Sequence, residues 1–233
     1  MKNTTNKKEL EKSEKRRTLE RIDGKYIWRE FVSVLIFEKG VLFTIKELFL
    51  RPGDTIREFL HYDRSKLVKP IAFLIFSSLV LIIIHNILGL NTDTAPQHFD
   101  SNGAMIALEW VEDNYEIVII LSGIFIGLWT SLFFIKSSFN IYEIFILVFF
   151  TTGIVSLICS FFKIVESITG FESSYLSLII PLFYSTWAIG NFFNKNKFLS
   201  YFKGFLAYLF GISTSPIIIT LIALLIDVFS NSN

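Results

Sequence analysis

The sequence predicts an all-α integral membrane protein with about five transmembrane helices, preceded by amphipathic interfacial helices. Three observations predict this class. First, 52% of the 233 residues are hydrophobic and 18% are charged, whereas a typical soluble domain has about 25% charged residues. Second, five apolar runs approach the roughly 20 residues that a helix needs to cross a hydrocarbon core. Third, segments rich and poor in basic residues alternate between these runs.

Each of the five runs is interpreted as a helix because it is long and continuous. A barrel strand would instead alternate apolar and polar residues over about ten positions. A helix also satisfies its own backbone hydrogen bonds, as the lipid interior requires. The predicted spans are Ile71–Leu90, Ile117–Ile135, Ile141–Phe162, Tyr175–Phe193 and Phe205–Phe229.

The positions of Lys and Arg predict the orientation. Residues 1–69 contain 17 of the 22 basic residues, whereas the loop of residues 91–116 contains none and has six acids. Lys136 follows the second span, and Lys195 and Lys197 follow the fourth. Because basic loops stay in the cytoplasm, the same pattern predicts the orientation of a multi-pass membrane protein. Its N-terminus would be cytoplasmic and its C-terminus would lie outside.

Charge and hydropathy divide the chain into three parts. Residues 1–24 are expected to form a charged cytoplasmic arm, and residues 25–69 amphipathic cytoplasmic or interfacial helices. Residues 70–233 are expected to form the transmembrane helical bundle. Over residues 1–69, 17 basic and 11 acidic side chains leave a net charge of +6. This charge suits a bilayer with anionic headgroups, which is the first expected partner.

Two apolar stripes at helical spacing lie in the middle part. One covers residues 26–36 and the other covers residues 41–49, with Gly40 before the second. Both are too short and too amphipathic to be ordinary spans, so we expect helices that lie at the interface or pack under the bundle. A shallow dip of residues 31–37 into the membrane is the alternative.

A chain break and a short helix are predicted after the second stripe. Arg51-Pro52-Gly53 ends the stripe, and Asp54 is expected to be the N-cap of a helix from Thr55 to His61. Pro70 is expected in the first turn of the first span, where its missing N–H is not needed.

This part of the chain resembles a known family. Residues 37–48 read FEKGVLFTIKEL, residues 51–60 read RPGDTIREFL, and Lys69-Pro70 follows. The phrase resembles a bacterial multi-pass membrane family known as domain of unknown function 3667, over about residues 25–85. This resemblance implies the bacterial inner membrane as the location. Many members of that family begin with a zinc ribbon of paired CxxC motifs. This chain has a single cysteine, so no metal role is carried over.

The outline of the chain also resembles the small multi-pass accessory proteins encoded beside type VI-B CRISPR RNA-guided RNases. That resemblance implies regulation of an RNA-cutting effector, or antiviral defence linked to the membrane.

The sequence contains no recognisable motif for catalysis or cofactor binding. HExxH, GxSxG and P-loop patterns are absent, and His61, His85 and His98 fall in three different segments. Cys159 lies inside an apolar run and is expected to be a packed thiol. We therefore expect a non-enzymatic protein with no cofactor and no catalytic or metal-binding residue.

Four polar residues of the predicted spans form a candidate intramembrane site: His85, Glu143, Ser213 and Thr214. Ionisable groups are costly in lipid and often functional there. His85 and Glu143 lie near span ends, so solvation at the interface is the alternative for both. Ser213 and Thr214 precede Pro216 and suit either helix packing or a kinked conduit wall.

Two functions are compatible with this pattern. The first is an accessory or regulatory protein whose N-terminal helices couple a cytoplasmic protein partner, such as an RNA-guided RNase, to the membrane. Arg51, Arg57 and Glu58 would position that region by polar contacts at the interface. The alternative is a homo-oligomeric channel or pore. Direct nucleic-acid binding is not expected, because the aromatic residues lie in apolar stripes and not on a base-stacking platform.

Overall fold

The computed structural model describes residues 40–88, 110–111, 114–170 and 174–231. These ranges contain seven helices and no strand, which confirms the all-α prediction for the described residues. The predicted arm of residues 1–24, the first apolar stripe with its 31–37 dip, and most of the 91–116 loop lie outside them. The helices are α1 (Val41–Leu50), α2 (Pro52–His61), α3 (Pro70–Leu88), α4 (Tyr115–Phe133), α5 (Ile141–Thr169), α6 (Ser174–Asn194) and α7 (Phe198–Asn231).

Four of these helices are long and apolar enough to cross a membrane: α3, α5, α6 and α7. They coincide with the first, third, fourth and fifth predicted spans. The apolar part of α4, Ile117–Phe133, is shorter than this length. The count of five spans therefore depends on α4 and stays a prediction.

Two helices extend beyond their predicted spans. Helix α5 continues past Phe162 to Thr169 and ends at Gly170, which adopts a left-handed conformation with φ 66°. Helix α7 begins at Phe198, well before Phe205. Hydropathy marks the part of a helix that suits lipid, whereas the backbone hydrogen bonds continue into polar sequence. At 29 residues, α5 is roughly 43 Å long, longer than a hydrocarbon core of about 30 Å.

The start of α2 corrects one prediction. The helix begins at Pro52, so the prediction of Asp54 as the N-cap of a helix from Thr55 is wrong. Proline suits the first helical position because its φ is preset and its missing N–H is not needed there. Asp54 lies in the first turn instead and pairs with Arg57. Pro70 begins α3, as predicted.

Helices α3 to α7 form a bundle with two distinct ends. We call the proximal end the one at which α3, α5 and α7 begin and α4 and α6 end. There the ring of Phe134 stacks on Phe193 with centroids 3.7 Å apart, and Phe139 contacts Phe192 at 4.4 Å. The opposite, distal end contains the last turns of α3 and α5.

The core of the bundle surrounds α5. In its most apolar window 72% of residues are buried, against 28% in α3 and 17% in α7. Phe73 and Phe150 are completely buried, and Phe59 of α2 packs edge-on against Phe150 with centroids 5.4 Å apart. Helix α2 therefore belongs to the same core as the long helices, whereas α3 and α7 expose the kind of apolar surface that lipid covers.

Candidate functional site

Helices α1 and α2 form a helical hairpin, residues 41–61, that packs on the proximal end of the bundle. We call it the docked hairpin. Leu48 and Ile56 of the hairpin are completely buried. Thr44 Oγ1 accepts a hydrogen bond from the backbone N of Val68 at 3.1 Å. The Tyr184 hydroxyl of α6 donates to the carbonyl of Leu48 at 3.2 Å. The hairpin is thus fixed by both apolar burial and hydrogen bonds.

Arg57 connects α2 to the C-terminal end of α6. Its Nη1 donates to the carbonyl oxygens of Asn191 at 2.8 Å and Phe192 at 2.7 Å, and its Nη2 pairs with Asp54. The last four carbonyls of a helix lack intrahelical partners and carry partial negative charge. The guanidinium therefore satisfies two of these acceptors and interacts favourably with the helix dipole.

Gly53 permits the close approach of α2 to α6. A Cβ atom at this position would lie 2.5 Å from the backbone N of Phe192 and 2.6 Å from the carbonyl carbon of Asn191. Real Cβ atoms essentially never approach backbone atoms that closely. The glycine of the RPGD phrase is thus required by the contact that Arg57 completes.

Arg51 lies at the junction of α1 and α2 within a chain of charges. Its Nη2 lies 2.6 Å from Glu47 Oε2 and its Nη1 lies 3.3 Å from Glu58 Oε1. Lys66 Nζ contacts the other Glu58 oxygen at 3.0 Å. The hydrogen bond and charge of Glu47, followed by the charge of Glu58, raise the pKa of Arg51 above its ordinary value. Because Arg51, Glu58 and Lys66 are each more than a third exposed, the pairs that they form contribute little stability.

Arg51 and Glu58 thus meet directly, while Arg57 bonds to α6 instead. All three make their contacts within this chain.

Glu143 forms part of the N-terminal cap of α5. Its backbone N donates to the Asn140 side-chain oxygen at 3.0 Å, and its Oε2 accepts from the backbone N of Asn140 at 2.9 Å. This reciprocal capping box satisfies two backbone donors that the helix leaves unpaired. The residue lies at the proximal end.

Thr214 joins α7 to α4 in the middle of the bundle. Trp129 Nε1 donates to Thr214 Oγ1 at 3.1 Å. The hydroxyls of Ser122 and Ser215 lie 2.5 Å apart at the same interface, whereas Ser213 is half-buried. Ser215 was not among the candidate site residues predicted from the sequence. A signal existed, because Gly211 precedes it by four residues and shares its helix face.

His85 lies at the distal end beside α5. Its Nδ1 is 2.9 Å from Lys163 Nζ, and only 9% of the residue is exposed. Twenty residues of α5 separate Lys163 from Glu143, which is roughly 30 Å of helix. His85, Glu143 and the Ser213–Thr214 pair therefore lie in three separate surroundings, and the described residues do not unite them in one site. Nor does this part of the chain contain a group of three or more His, Cys, Asp or Glu side chains that could hold a metal ion.

Comparison with known proteins gives a match to the segment of the chain that contains the docked hairpin. Residues 38–82 match the model of a family described as Protein of unknown function (DUF3667). The match spans the hairpin, the connection to α3 and most of α3, and it supports the family resemblance of the same segment. No curated protein and no solved structure matches the chain.

Proposed function

We propose, from the family match over residues 38–82 and the contacts of the docked hairpin, that this chain is a non-enzymatic accessory protein of a membrane. Its long helices would cross the bilayer. Residues 1–39, which precede the docked hairpin in the chain, would bind a protein partner. Binding of that partner would be coupled to the bundle through α2 and α6.

The attachment of Arg57 to α6 is the observation that carries this proposal. An amphipathic hairpin that only rested on lipid would not need a guanidinium aimed at the carbonyls of another helix, 134 residues away in sequence. A glycine is also required at the same contact. A hairpin that is fixed to α6 is joined directly to the bundle, which suits coupling of a bound partner to the bundle.

The exposed face of α1 supports a location at the membrane surface. Leu42 is 80% exposed, Leu50 is 63% exposed, and Phe43 and Phe49 lie on the same face. The only charged residue on this face is Lys46. Its long side chain can extend from apolar surroundings to the headgroups. An apolar face of this kind suits the boundary between headgroups and acyl chains.

Residues 1–39 have the composition of a contact region. They contain 11 basic and 7 acidic residues, a net charge of +4. Mixed charges of both signs suit recognition of a protein surface, where complementary charges speed association and fix its register. The RNA-guided RNase implied by the accessory-protein resemblance is a specific candidate for the partner.

The test is reconstitution of a defined complex. Tagged full-length chain would be extracted in mild detergent and analysed for a stoichiometric soluble partner, and purified type VI-B RNase would be mixed with it directly. We expect a partner that binds the full chain and is lost when residues 1–39 are deleted. A variant with residues 1–24 scrambled at constant composition separates sequence-specific contact from charge. Binding that survives deletion of residues 1–39 would contradict the proposal.

An oligomeric channel is the second candidate, favoured by the buried contact of His85 with Lys163. Ionisable groups in an apolar bundle often mark an ion or proton path. Recovery of only this chain, as a discrete homo-oligomer, would favour it, and conductance in planar bilayers would be the next measurement. His85→Ala would then lower conductance. Glu143→Gln tests the opposite end, because glutamine keeps the capping box and removes the charge.

A further inference from the structure

A cavity of about 320 Å³ opens at the proximal end between the α4–α5 and α6–α7 connections. Phe139 forms part of its wall and contacts the ring of His61 at 5.9 Å, so the cavity lies next to the docked hairpin. None of the hairpin residues is among the described residues that line it. Its volume is at the small end of the range for ligand sites, about 300–1,000 Å³.

Three lysines line this cavity: Lys136, Lys197 and Lys203. The described residues of the lining include no Asp or Glu. Lys203 Nζ donates to the carbonyl of Phe133 at 2.9 Å and lies 5.5 Å from the ring centre of Phe134. An ammonium group has three N–H donors, and this bond uses one of them. Lys203 is thus held in place, and its other two donors remain available to a ligand. Because three lysines and no acid are among the described residues that line the cavity, positive charge is concentrated there.

Neutral hydrogen-bond donors accompany these lysines. Ser137 lines the cavity, and its hydroxyl is buried without a hydrogen-bond partner among the described residues. A buried hydroxyl of this kind is costly unless a ligand or water pairs with it. Helix α7 begins at Phe198, and Leu199 and Ser200 of its first turn also line the cavity. The N-terminal end of a helix carries partial positive charge and attracts anions.

The surroundings of the cavity combine this polar lining with apolar surface. Phe133 and Phe193 line it, and the neighbouring Ile135 and Phe202 are 75% and 48% exposed. A ligand with a charged oxyanion and an apolar tail would match both parts. Basic pockets between membrane helices bind the headgroups of anionic lipids in this way.

We infer that this cavity binds a phosphate group. The ammonium groups of Lys136, Lys197 and Lys203 would contact its oxygens. The phosphate belongs either to the headgroup of an anionic phospholipid or to a small soluble phosphate compound. This site is separate from the partner binding proposed for residues 1–39.

Binding to the full-length chain in maltoside detergent tests the inference. Phosphatidylglycerol would be titrated and counted as bound molecules per chain by native mass spectrometry. Phosphatidylcholine, which has the same phosphate but no net charge, is the lipid comparison. Inorganic phosphate, followed by thermal stabilisation of the chain, is the soluble probe. We expect saturable binding of phosphatidylglycerol or of inorganic phosphate, and at least tenfold weaker binding of phosphatidylcholine.

A pair of double variants locates the site. Lys136→Gln/Lys197→Gln removes two exposed cavity lysines, whereas Lys46→Gln/Lys195→Gln removes two lysines from the same end outside the cavity lining. We expect at least a tenfold loss of affinity in the first double variant and less than a twofold change in the second.

Each outcome decides the inference. Saturable phosphatidylglycerol binding that only the cavity variants weaken supports it and makes a lipid headgroup the source of the phosphate. Stabilisation by inorganic phosphate without lipid selectivity also supports it and makes a soluble compound the source. Equal losses of affinity in the two double variants would mean non-specific attraction to surface charge and would overturn the inference. If neither phosphatidylglycerol nor inorganic phosphate bound, the inference would also be overturned.

Discussion

The Arg57 guanidinium satisfies two of the last four carbonyls of α6 and pairs with Asp54 at the same time. Hydrogen bonds that involve a charged group contribute about 1.5–3 kcal/mol. We therefore predict that Arg57→Ala lowers the free energy of unfolding by about 1.5–3 kcal/mol. Arg57→Lys should recover only part of this, because an ammonium lacks the planar fork that contacts both carbonyls.

Unfolding of purified protein in detergent, followed by tryptophan fluorescence during heating, measures this effect. Arg64→Ala is the matched control, since Arg64 is exposed in the connection that follows α2. If Arg57→Ala unfolds at the same temperature as Arg64→Ala, the attachment of α2 to α6 contributes nothing to stability.

For Gly53→Ala, the direction of the change in stability tests the contact between α2 and α6. In an ordinary helix interior this change stabilises by about 0.8–1 kcal/mol. At Gly53 the added Cβ would lie 2.5 Å from the backbone N of Phe192, so α2 must shift away from α6. Overpacking of this kind costs about 1–3 kcal/mol, and we expect a lower unfolding temperature in the same assay. An increase would mean that the two helices are not in close contact.

At the residue scale, the sequence indicated which segment makes polar contacts but not which atoms of α6 it contacts. It singled out Arg51, Arg57 and Glu58, and the pairing of Arg51 with Glu58 lies within its reach at a separation of seven residues. The acceptors of Arg57 lie 134 and 135 residues away on α6. Helical periodicity contains no information about a contact of that range. Asp54 was misplaced for a different reason, since α2 begins at Pro52 and Asp54 therefore lies in its first turn.

At the scale of elements, α4 and α7 are joined along a seam of small and polar residues. A Cβ at Gly211 would lie 2.6 Å from Ile126 Cα, and the hydroxyls of Ser122 and Ser215 are 2.5 Å apart. Small residues permit this backbone approach, which is how helices associate in lipid without a hydrophobic driving force. The seam fixes the register of α7 against α4.

An engineered disulfide tests this register. We predict that Ser122→Cys/Ser215→Cys, in a Cys159→Ala background, forms a disulfide on mild oxidation. The reason is that the two hydroxyl positions already lie at contact distance. Mass spectrometry of the digested protein identifies the linked peptides. Ser131→Cys/Ser215→Cys is the control, because Ser131 lies nine residues along α4, roughly 13 Å away. Linkage of the control pair instead would show a different register.

Hydropathy located the long helices because each is apolar over most of its length. It could not predict which faces meet. In a helix that is apolar on every side, as α3 is, the lipid-facing and protein-facing residues have the same character, so the period of 3.6 residues disappears. The capping box of α5 was visible in the sequence as Asn140 and Glu143, three residues apart.

At the scale of the whole molecule, the basic residues of the described ranges concentrate at one end. Ten of the eleven Lys and Arg residues in the described ranges belong to the hairpin or to connections and helix ends at the proximal end, and Lys163 is the exception. Basic segments remain on the cytoplasmic side. The proximal end, with its hairpin and lysine-lined cavity, is therefore expected to face the cytoplasm.

Single-cysteine labelling distinguishes five crossings from four. In a Cys159→Ala background, cysteines would replace Ser65, Ser138 and Asn196 at the proximal end and Gly170 at the distal end. A membrane-impermeant maleimide would be applied to right-side-out and inside-out vesicles. With five crossings, the first three positions react only in inside-out vesicles and position 170 only in right-side-out vesicles. If α4 did not cross, positions 138 and 196 would react from the side opposite to position 65. This second pattern would contradict both the span count and the common location of the hairpin and the cavity, because the two would then lie on different sides of the membrane.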